Sequence, residues 1–94
     1  MTTTEIKELM ATNTFWSVEF TKKDGSNRRM IASRDWKFLE EHEEESHYVK
    51  PQGEANYDAD SLGYVRVWDM DKYDWRMIPS GERLLKLEPI KDEE

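Results

Sequence analysis

Apolar and polar side chains alternate along residues 14–33, and this period of two is the pattern of β-strands with one buried face. An Asp24-Gly25 pair interrupts the alternation near its middle, and Asp-Gly is the strongest short-range signal for a tight turn between two strands. We therefore predict a β-hairpin over residues 14–33. Its buried face would carry the apolar side chains of the two strands, namely Trp16, Val18, Phe20, Met30 and Ala32.

Two stretches show helical spacing instead. Thr2 and Glu5 have the spacing of a capping box, and the apolar stripe that follows predicts a short N-terminal helix ending at Asn13. A second helix is predicted to begin after an N-cap at Ser33 or Asp35. It would fray in its run of glutamates, because like charges repel and acids at a helix C-terminus oppose the macrodipole.

The rest of the chain alternates between irregular and strand-like segments. Residues 46–61 are rich in turn formers and carry no sustained period, which predicts a long loop that is either functional or mobile. Alternation predicts strands over 64–68, 75–78 and 84–90, with a single 3₁₀ turn between the last two. Residues 91–94 form an acidic tail, and residues 1–94 are predicted to form one domain.

Five short strands joined by tight turns favour a small closed barrel, because closure removes the exposed edges of an open sheet. The segments EFTKKDGSNRRMIAS and VRVWDMDKYDWRMIPSGERLLKLEPI resemble a small phage family described as an Sm-like SH3 β-barrel, with a basic first hairpin and a Trp-Arg pair in its fourth strand. The resemblance implies a phage origin and a barrel, but no particular reaction. The expected fold is mainly β (α+β): a five-stranded Sm/SH3-like barrel with a short N-terminal helix, and with a helix plus long loop inserted between strands 2 and 3.

Composition narrows the class of protein. The 94 residues carry a net charge of −7, and they include no cysteine, which excludes disulfides, a thiolate nucleophile and cysteine-ligated metals. No signal peptide or membrane-spanning run is visible, so we expect a soluble, cytoplasmic protein. The resemblance to the phage family implies that this is the cytoplasm of an infected bacterial host. A chain this small and polar has a limited core, and a homodimer would be an ordinary way to bury more apolar surface.

Candidate catalytic and metal-binding patterns are weak. His42 and His47 are five residues apart, whereas two zinc ligands on one helix face need a spacing of four. Asp69, Asp71 and Asp74 lack the Gly and Glu of a calcium loop, and turn formation explains them more simply. The sequence therefore predicts no catalytic residues, no metal, no cofactor and no enzyme activity.

The charges are unevenly divided along the chain. Residues 21–37 contain six basic and two acidic side chains, a local charge of +4, whereas residues 38–94 contain seven basic and sixteen acidic side chains, a local charge of −9. The hairpin would gather much of the positive charge, which favours contacts with RNA or single-stranded nucleic acid, with Trp16, Trp36 or Tyr48 available for base stacking. The candidate nucleic-acid-binding residues are Lys22, Lys23, Arg28, Arg29, Arg34 and Lys37.

On this hypothesis the protein is a non-enzymatic phage regulatory or anti-defence protein that counters, for example, a host toxin RNase. In the alternative, an acidic surface mimics nucleic acid and binds a basic host defence protein. That surface would consist of Glu40, Glu41, Glu43, Glu44 and Glu45. A purely structural explanation also stays open, because basic hairpin tips protect sheet edges from aggregation or pair with an acidic run.

Overall fold

The computed structural model describes residues 1–50 and 62–91. These residues contain one antiparallel sheet of five strands. In space the strands follow the order β4-β3-β2-β1-β5, so the first strand pairs with both its neighbour in sequence and the last strand. The elements are α1 (Thr3–Met10), β1 (Phe15–Thr21), β2 (Asn27–Ser33), α2 (Trp36–Glu41), α3 (Glu43–Ser46), β3 (Tyr64–Asp69), β4 (Asp74–Pro79), a 3₁₀ turn (Gly81–Arg83) and β5 (Leu84–Ile90).

The predicted hairpin is confirmed. Val18 of β1 lies opposite Met30 of β2, and both are buried. The turn between the strands is closed by the Ser26 carbonyl, which accepts a 2.7 Å hydrogen bond from the Lys22 amide. Gly25 sits in this turn with φ of 90°, a conformation that favours glycine over residues with a Cβ.

The N-terminal helix begins as the capping-box spacing predicts. The Thr2 hydroxyl accepts a hydrogen bond from the Glu5 amide, and the Glu5 carboxylate accepts one from the Thr2 amide. This reciprocal pair satisfies two amides that would otherwise lack partners at the helix start. The helix then buries Ile6 and Met10 in the main core.

The second helical segment starts as predicted but does not run on without a break. Asp35 is its N-cap, with its carboxylate accepting from the Phe38 amide. At His42 the backbone leaves the helical region, with φ of −121° and ψ of 39°, and divides the segment into α2 and α3. The His42 ring stacks on Phe38 at 4.1 Å, and the break also interrupts a run of glutamates that repel one another.

The sheet is covered on two sides where β3 runs. Val65 and Val67 of β3 face the main core, whereas Trp68 faces outwards into a second cluster. In that cluster, Trp68 packs with Leu39 of α2 and with Tyr48. The insertion between β2 and β3 therefore closes over the outer face of the sheet and adds a second, aromatic core.

The predicted loop over residues 46–61 is wrong at its beginning. Ser46 is the buried last residue of α3, and its hydroxyl donates to the Leu39 carbonyl. Tyr48 is 8% exposed and belongs to the aromatic cluster. Residues 51–61 of that loop and residues 92–94 of the predicted acidic tail lie outside the described residues. Within the described part of the chain, no helix is both long and apolar enough to cross a membrane.

Candidate functional site

The basic residues predicted from the hairpin do not share one surface. Arg28 lies opposite Phe20 and follows the alternation of the buried face, whereas Arg29 lies opposite Glu19 on the outer face. Lys22 and Lys23 are exposed at the turn. The hairpin therefore presents lysines at its tip, while its two arginines point to opposite sides of the sheet.

Arg28 is held by a buried carboxylate. Its guanidinium lies 2.8 Å from Asp69, whose side chain is completely buried, and Arg76 of β4 approaches the same oxygen at 3.9 Å. The other carboxylate oxygen of Asp69 accepts hydrogen bonds from the Asp71 and Lys72 amides. This network joins β2, β3 and β4, so Arg28 is bound to Asp69 within the fold rather than gathered with the exposed lysines at the tip.

Arg34 and Lys37 lie beyond the hairpin. Arg34 donates a 2.6 Å hydrogen bond to the Arg66 carbonyl, and its guanidinium lies 5.3 Å from the centre of the Trp36 ring. Lys37 is exposed on α2. Arg34 is thus directed towards the outer face of β3, where a second arginine and a second tryptophan lie.

We call this surface the arginine–tryptophan face. Trp36 and Trp75 contact each other with ring centres 5.3 Å apart, and the Arg66 guanidinium lies 5.8 Å from the centre of the Trp75 ring. An open cleft of about 290 Å³ lies beside Trp75. The face consists of Arg34, Trp36, Arg66, Trp75 and Met77. Arg76 also borders the cleft, but it lies opposite the core-facing Val67, and its guanidinium approaches Asp69 and Asp74 on the other side of the sheet.

Strand register explains why these side chains meet. Arg66 lies opposite Met77 and Trp68 lies opposite Trp75, and alternation directs all four away from the main core. The indole nitrogen of Trp68 donates to the Ser46 carbonyl, which anchors that ring deep in the aromatic cluster. Trp75 is only half-buried at the rim of the same cluster, so part of its ring remains accessible.

The positive charge of Arg76, on the other side of β4, is balanced by aspartates. Arg76 donates a 3.0 Å hydrogen bond to the Asp74 carboxylate. This hydrogen bond is the main reason that the pKa of Asp74 lies below its usual value, with smaller contributions from the Trp75 amide and the charge of Arg76. The arginine–tryptophan face itself carries two arginines, Arg34 and Arg66, in a protein whose net charge is −7.

The sequence did not point to Arg66 or Trp75. Trp75 lies in a strand pattern, but it is half-buried at the rim of the aromatic cluster. The available signal was the alternation of β3, which places Arg66 on the same face as Trp68. Of the three stacking residues proposed from the sequence, only Trp36 is half-buried with part of its ring accessible. Trp16 is 1% exposed and Tyr48 is 8% exposed, so neither ring is available for base stacking.

The acidic candidates are all at the surface. They are spread over α2 and α3, and Glu40 pairs with Lys50 at 3.4 Å. The exposed carboxylates are Glu40, Glu41, Glu43, Glu44 and Glu45. His47, at the end of α3, contacts the ring of Tyr73 at 4.3 Å, and no group of three metal-ligating side chains occurs among residues 1–50 and 62–91.

The sequence model of the WYL_2 family, described as an Sm-like SH3 β-barrel fold, matches residues 3–85. The chain belongs to this family. The match covers α1, the hairpin, both short helices and β3 and β4, so it extends well beyond the two segments that carried the resemblance. No curated protein and no solved structure matches the chain.

Membership of this family confirms the predicted fold class. The family description specifies an Sm-like SH3 barrel, and the structure has the expected five antiparallel strands, N-terminal helix and helical insertion between β2 and β3. The description names a fold and no activity. Any functional conclusion therefore has to come from the surface chemistry of this chain.

Proposed function

We propose that this protein binds RNA or single-stranded nucleic acid through the arginine–tryptophan face, and that it acts by binding rather than by catalysis. One observation carries the proposal. Trp36 and Trp75 are half-buried neighbours, and each has an arginine guanidinium against its ring. Arginines and accessible aromatic rings together are the combination by which proteins hold unpaired bases and their phosphates.

Each component of the face has a distinct task in this proposal. A base stacks on the accessible part of Trp36 or Trp75, and such stacking is worth about 1–3 kcal/mol per base. The guanidinium of Arg66 contacts phosphate oxygens, to which its planar donors are well matched. Stacking on a side chain requires an unpaired base, because both faces of a base are covered inside a duplex. We therefore expect a preference for single strands over duplexes.

The proposal moves the centre of binding away from the hairpin. Of the six basic residues proposed from the sequence, only Arg34 belongs to the arginine–tryptophan face. Arg29 stands on the outer face of β2 beside Glu19, which offsets its charge. Arg66 and Arg29 are therefore a matched pair for deciding which of the two surfaces binds, since both are outward-facing strand arginines.

A titration with labelled single-stranded RNA at about 0.1 M salt tests the proposal by fluorescence anisotropy. We expect Arg66→Glu to weaken binding by at least tenfold and to lower the salt dependence, because a phosphate contact is lost. The control Arg29→Glu changes the charge equally and should weaken binding less than threefold. Urea midpoints of both variants establish that each remains folded.

Three results would argue against the proposal. Absence of binding by the wild-type protein to RNA and single-stranded DNA would overturn it. If Arg29→Glu lost binding and Arg66→Glu retained it, the nucleic-acid-binding site would lie on the hairpin instead of the arginine–tryptophan face. Capture of a basic host protein that is released when Glu40, Glu41, Glu43 and Glu44 are reversed would instead favour the acidic-mimic hypothesis.

The biological setting follows from the resemblance to small phage proteins. We propose a regulatory or anti-defence role in an infected bacterium, in which binding of RNA counters a defence such as a toxin RNase. Co-expression with such a toxin is the direct test. Wild-type protein should restore growth and Arg66→Glu should not. Equal rescue by both proteins would mean that the anti-defence role does not depend on RNA binding.

A further inference from the structure

A second cluster of basic and aromatic side chains lies at the other end of β3. The Arg83 guanidinium donates a 3.0 Å hydrogen bond to the Tyr64 hydroxyl and lies 5.9 Å from the centre of its ring. The same arginine donates through Nε to the Thr21 carbonyl at 2.9 Å, at the point where β1 enters the hairpin turn. Arg83 thereby fixes the Tyr64 ring beside the exposed hairpin tip.

Lys23 supplies further positive charge to this cluster. The pKa of Tyr64 lies below its ordinary value of 10.0, mainly because Arg83 hydrogen-bonds the hydroxyl, and the charge of Lys23 lowers it further. Lys23 is two residues beyond Thr21, whose carbonyl accepts from the same Arg83 that binds the Tyr64 hydroxyl, so the hairpin tip and the Tyr64–Arg83 pair are neighbours. Tyr64 is half-buried, Lys23 is exposed, and Arg83 is half-buried between the two strands that it joins.

The two clusters lie on one face of the sheet. Tyr64, Arg66 and Trp68 are two residues apart along β3, so their side chains leave the same side of the strand. Their partners on β4 are Pro79, Met77 and Trp75. From Tyr64 to Trp68 the strand advances about 13 Å, which is the length of about four nucleotides stacked 3.4 Å apart.

We infer that Lys23, Tyr64 and Arg83 form the far end of a continuous track for RNA or single-stranded DNA, which runs along the outer face of β3 from the arginine–tryptophan face to the hairpin tip. The inference rests on the proposed function and extends it to the length of the ligand and to a third stacking ring. A strand of three nucleotides occupies the arginine–tryptophan face alone. A strand of six or more reaches Tyr64 and Lys23.

The track assigns a role to part of the basic hairpin. Lys22 and Lys23 are exposed at the tip and do not belong to the arginine–tryptophan face. At the end of the track, Lys23 lies where the phosphates of a longer strand would pass. The lysine should therefore affect long ligands and leave short ones unaffected, which is a pattern that general charge attraction would not produce.

An oligonucleotide length series tests the track. Oligouridylates of three, six and nine residues compete with a labelled 9-mer for the wild-type protein, for Lys23→Glu and for the matched control Lys86→Glu. Lys86 lies on β5, at the opposite end of the strand order from β4, and pairs with Glu88. We expect Lys23→Glu to weaken the 6-mer and 9-mer at least fivefold and the 3-mer less than twofold. Lys86→Glu should change none of the three by more than twofold.

A second variant separates stacking from charge. Tyr64→Leu removes the aromatic ring from the half-buried position and should weaken the 6-mer and 9-mer, whereas Tyr64→Phe keeps the ring and should bind like the wild type. Equal effects of Lys23→Glu and Lys86→Glu on the 9-mer would overturn the track. So would an affinity that does not rise between three and six nucleotides. If those results occur while Arg66→Glu still weakens binding by at least tenfold, the proposed function stands and the extension alone is wrong.

Discussion

The guanidinium of Arg28 lies 2.8 Å from the carboxylate of Asp69, a side chain with no exposure to solvent. Removal of one partner of a buried ion pair leaves a charge without compensation. We expect Arg28→Ala to lower the free energy of unfolding by about 2 kcal/mol, less than for a fully buried pair, because Arg28 is 26% exposed and Arg76 also approaches Asp69. Urea denaturation followed by tryptophan fluorescence measures the change.

The neighbouring Arg29 provides the control for this prediction. It is exposed and lies on the opposite face of β2, so Arg29→Ala should change the free energy of unfolding by less than about 0.5 kcal/mol. Equal effects of the two substitutions would mean that the contact with Asp69 contributes nothing to stability.

Tyr48 and Tyr64 should titrate on opposite sides of the usual tyrosine pKa of 10.0. Burial raises the pKa of Tyr48, and the Glu40 carboxylate raises it further, whereas the hydrogen bond from Arg83 lowers the pKa of Tyr64. Ring-proton shifts followed by NMR across the alkaline range measure both values. Glu40→Gln should lower the pKa of Tyr48 and Glu41→Gln should not, while Arg83→Met should raise that of Tyr64.

These two shifts act on stability with opposite signs. Because the folded-state pKa of Tyr48 is raised, its contribution is complete below pH 10 and is lost as the pH rises through that folded-state value. The contribution of Tyr64 is complete above pH 10 and is lost as the pH falls through its lowered value. Loss of stability above pH 10 should therefore be smaller in Tyr48→Phe, and a variant as alkali-sensitive as the wild type would contradict the assignment.

The capping box of α1 should be a measurable source of stability. Thr2→Ala removes the hydroxyl that accepts from the Glu5 amide, and the loss of such a cap costs about 1 kcal/mol. Thr4 is exposed inside the same helix, so Thr4→Ala is the matched control and should be neutral or slightly stabilising. A thermal denaturation series in which both variants behave alike would show that the cap is not needed.

Substitution of Gly25 should destabilise the protein because of its backbone conformation and not because of steric contact. Its φ is 90°, and a Cβ added there would contact nothing within 4 Å. Gly25→Ala should therefore lower the free energy of unfolding by about 1 kcal/mol through backbone strain, and Gly25→Asn should cost less, because Asn tolerates left-handed conformations. Urea midpoints of the two variants test this order, and a destabilisation by Asn larger than that by Ala would contradict it.

The parts of the fold that could be predicted from the sequence depend on neighbouring residues. Alternation determines which side chains of β1 and β2 face the core, and Asp24-Gly25 determines where the hairpin turns. The Thr2 and Glu5 spacing identifies the start of α1 for the same reason. In each case, the residues that decide the structure lie within a few positions of one another.

The parts that could not be predicted depend on contacts between distant residues. Alternation places Arg28 on the buried face of β2, but the buried carboxylate that compensates its charge there comes from Asp69, 41 positions away. Trp36 of α2 and Trp75 of β4 meet only because the insertion after β2 folds back over β3 and β4. A basic cluster counted along the sequence therefore separates in space, and a second cluster forms from residues that are not neighbours in the chain.

The pairing of β1 with β5 has a consequence for the order in which the protein folds. Phe15 lies opposite Ile90, so the strand that pairs with β1 on the side away from β2 is the last of the five strands in chain order. The hairpin and the β3–β4 pair can form early from local contacts, but the sheet gains its fifth strand only when residues 84–90 have emerged. Until that moment the outer edge of β1 stays open, and completion of the sheet requires closure of the long chain segment between β1 and β5.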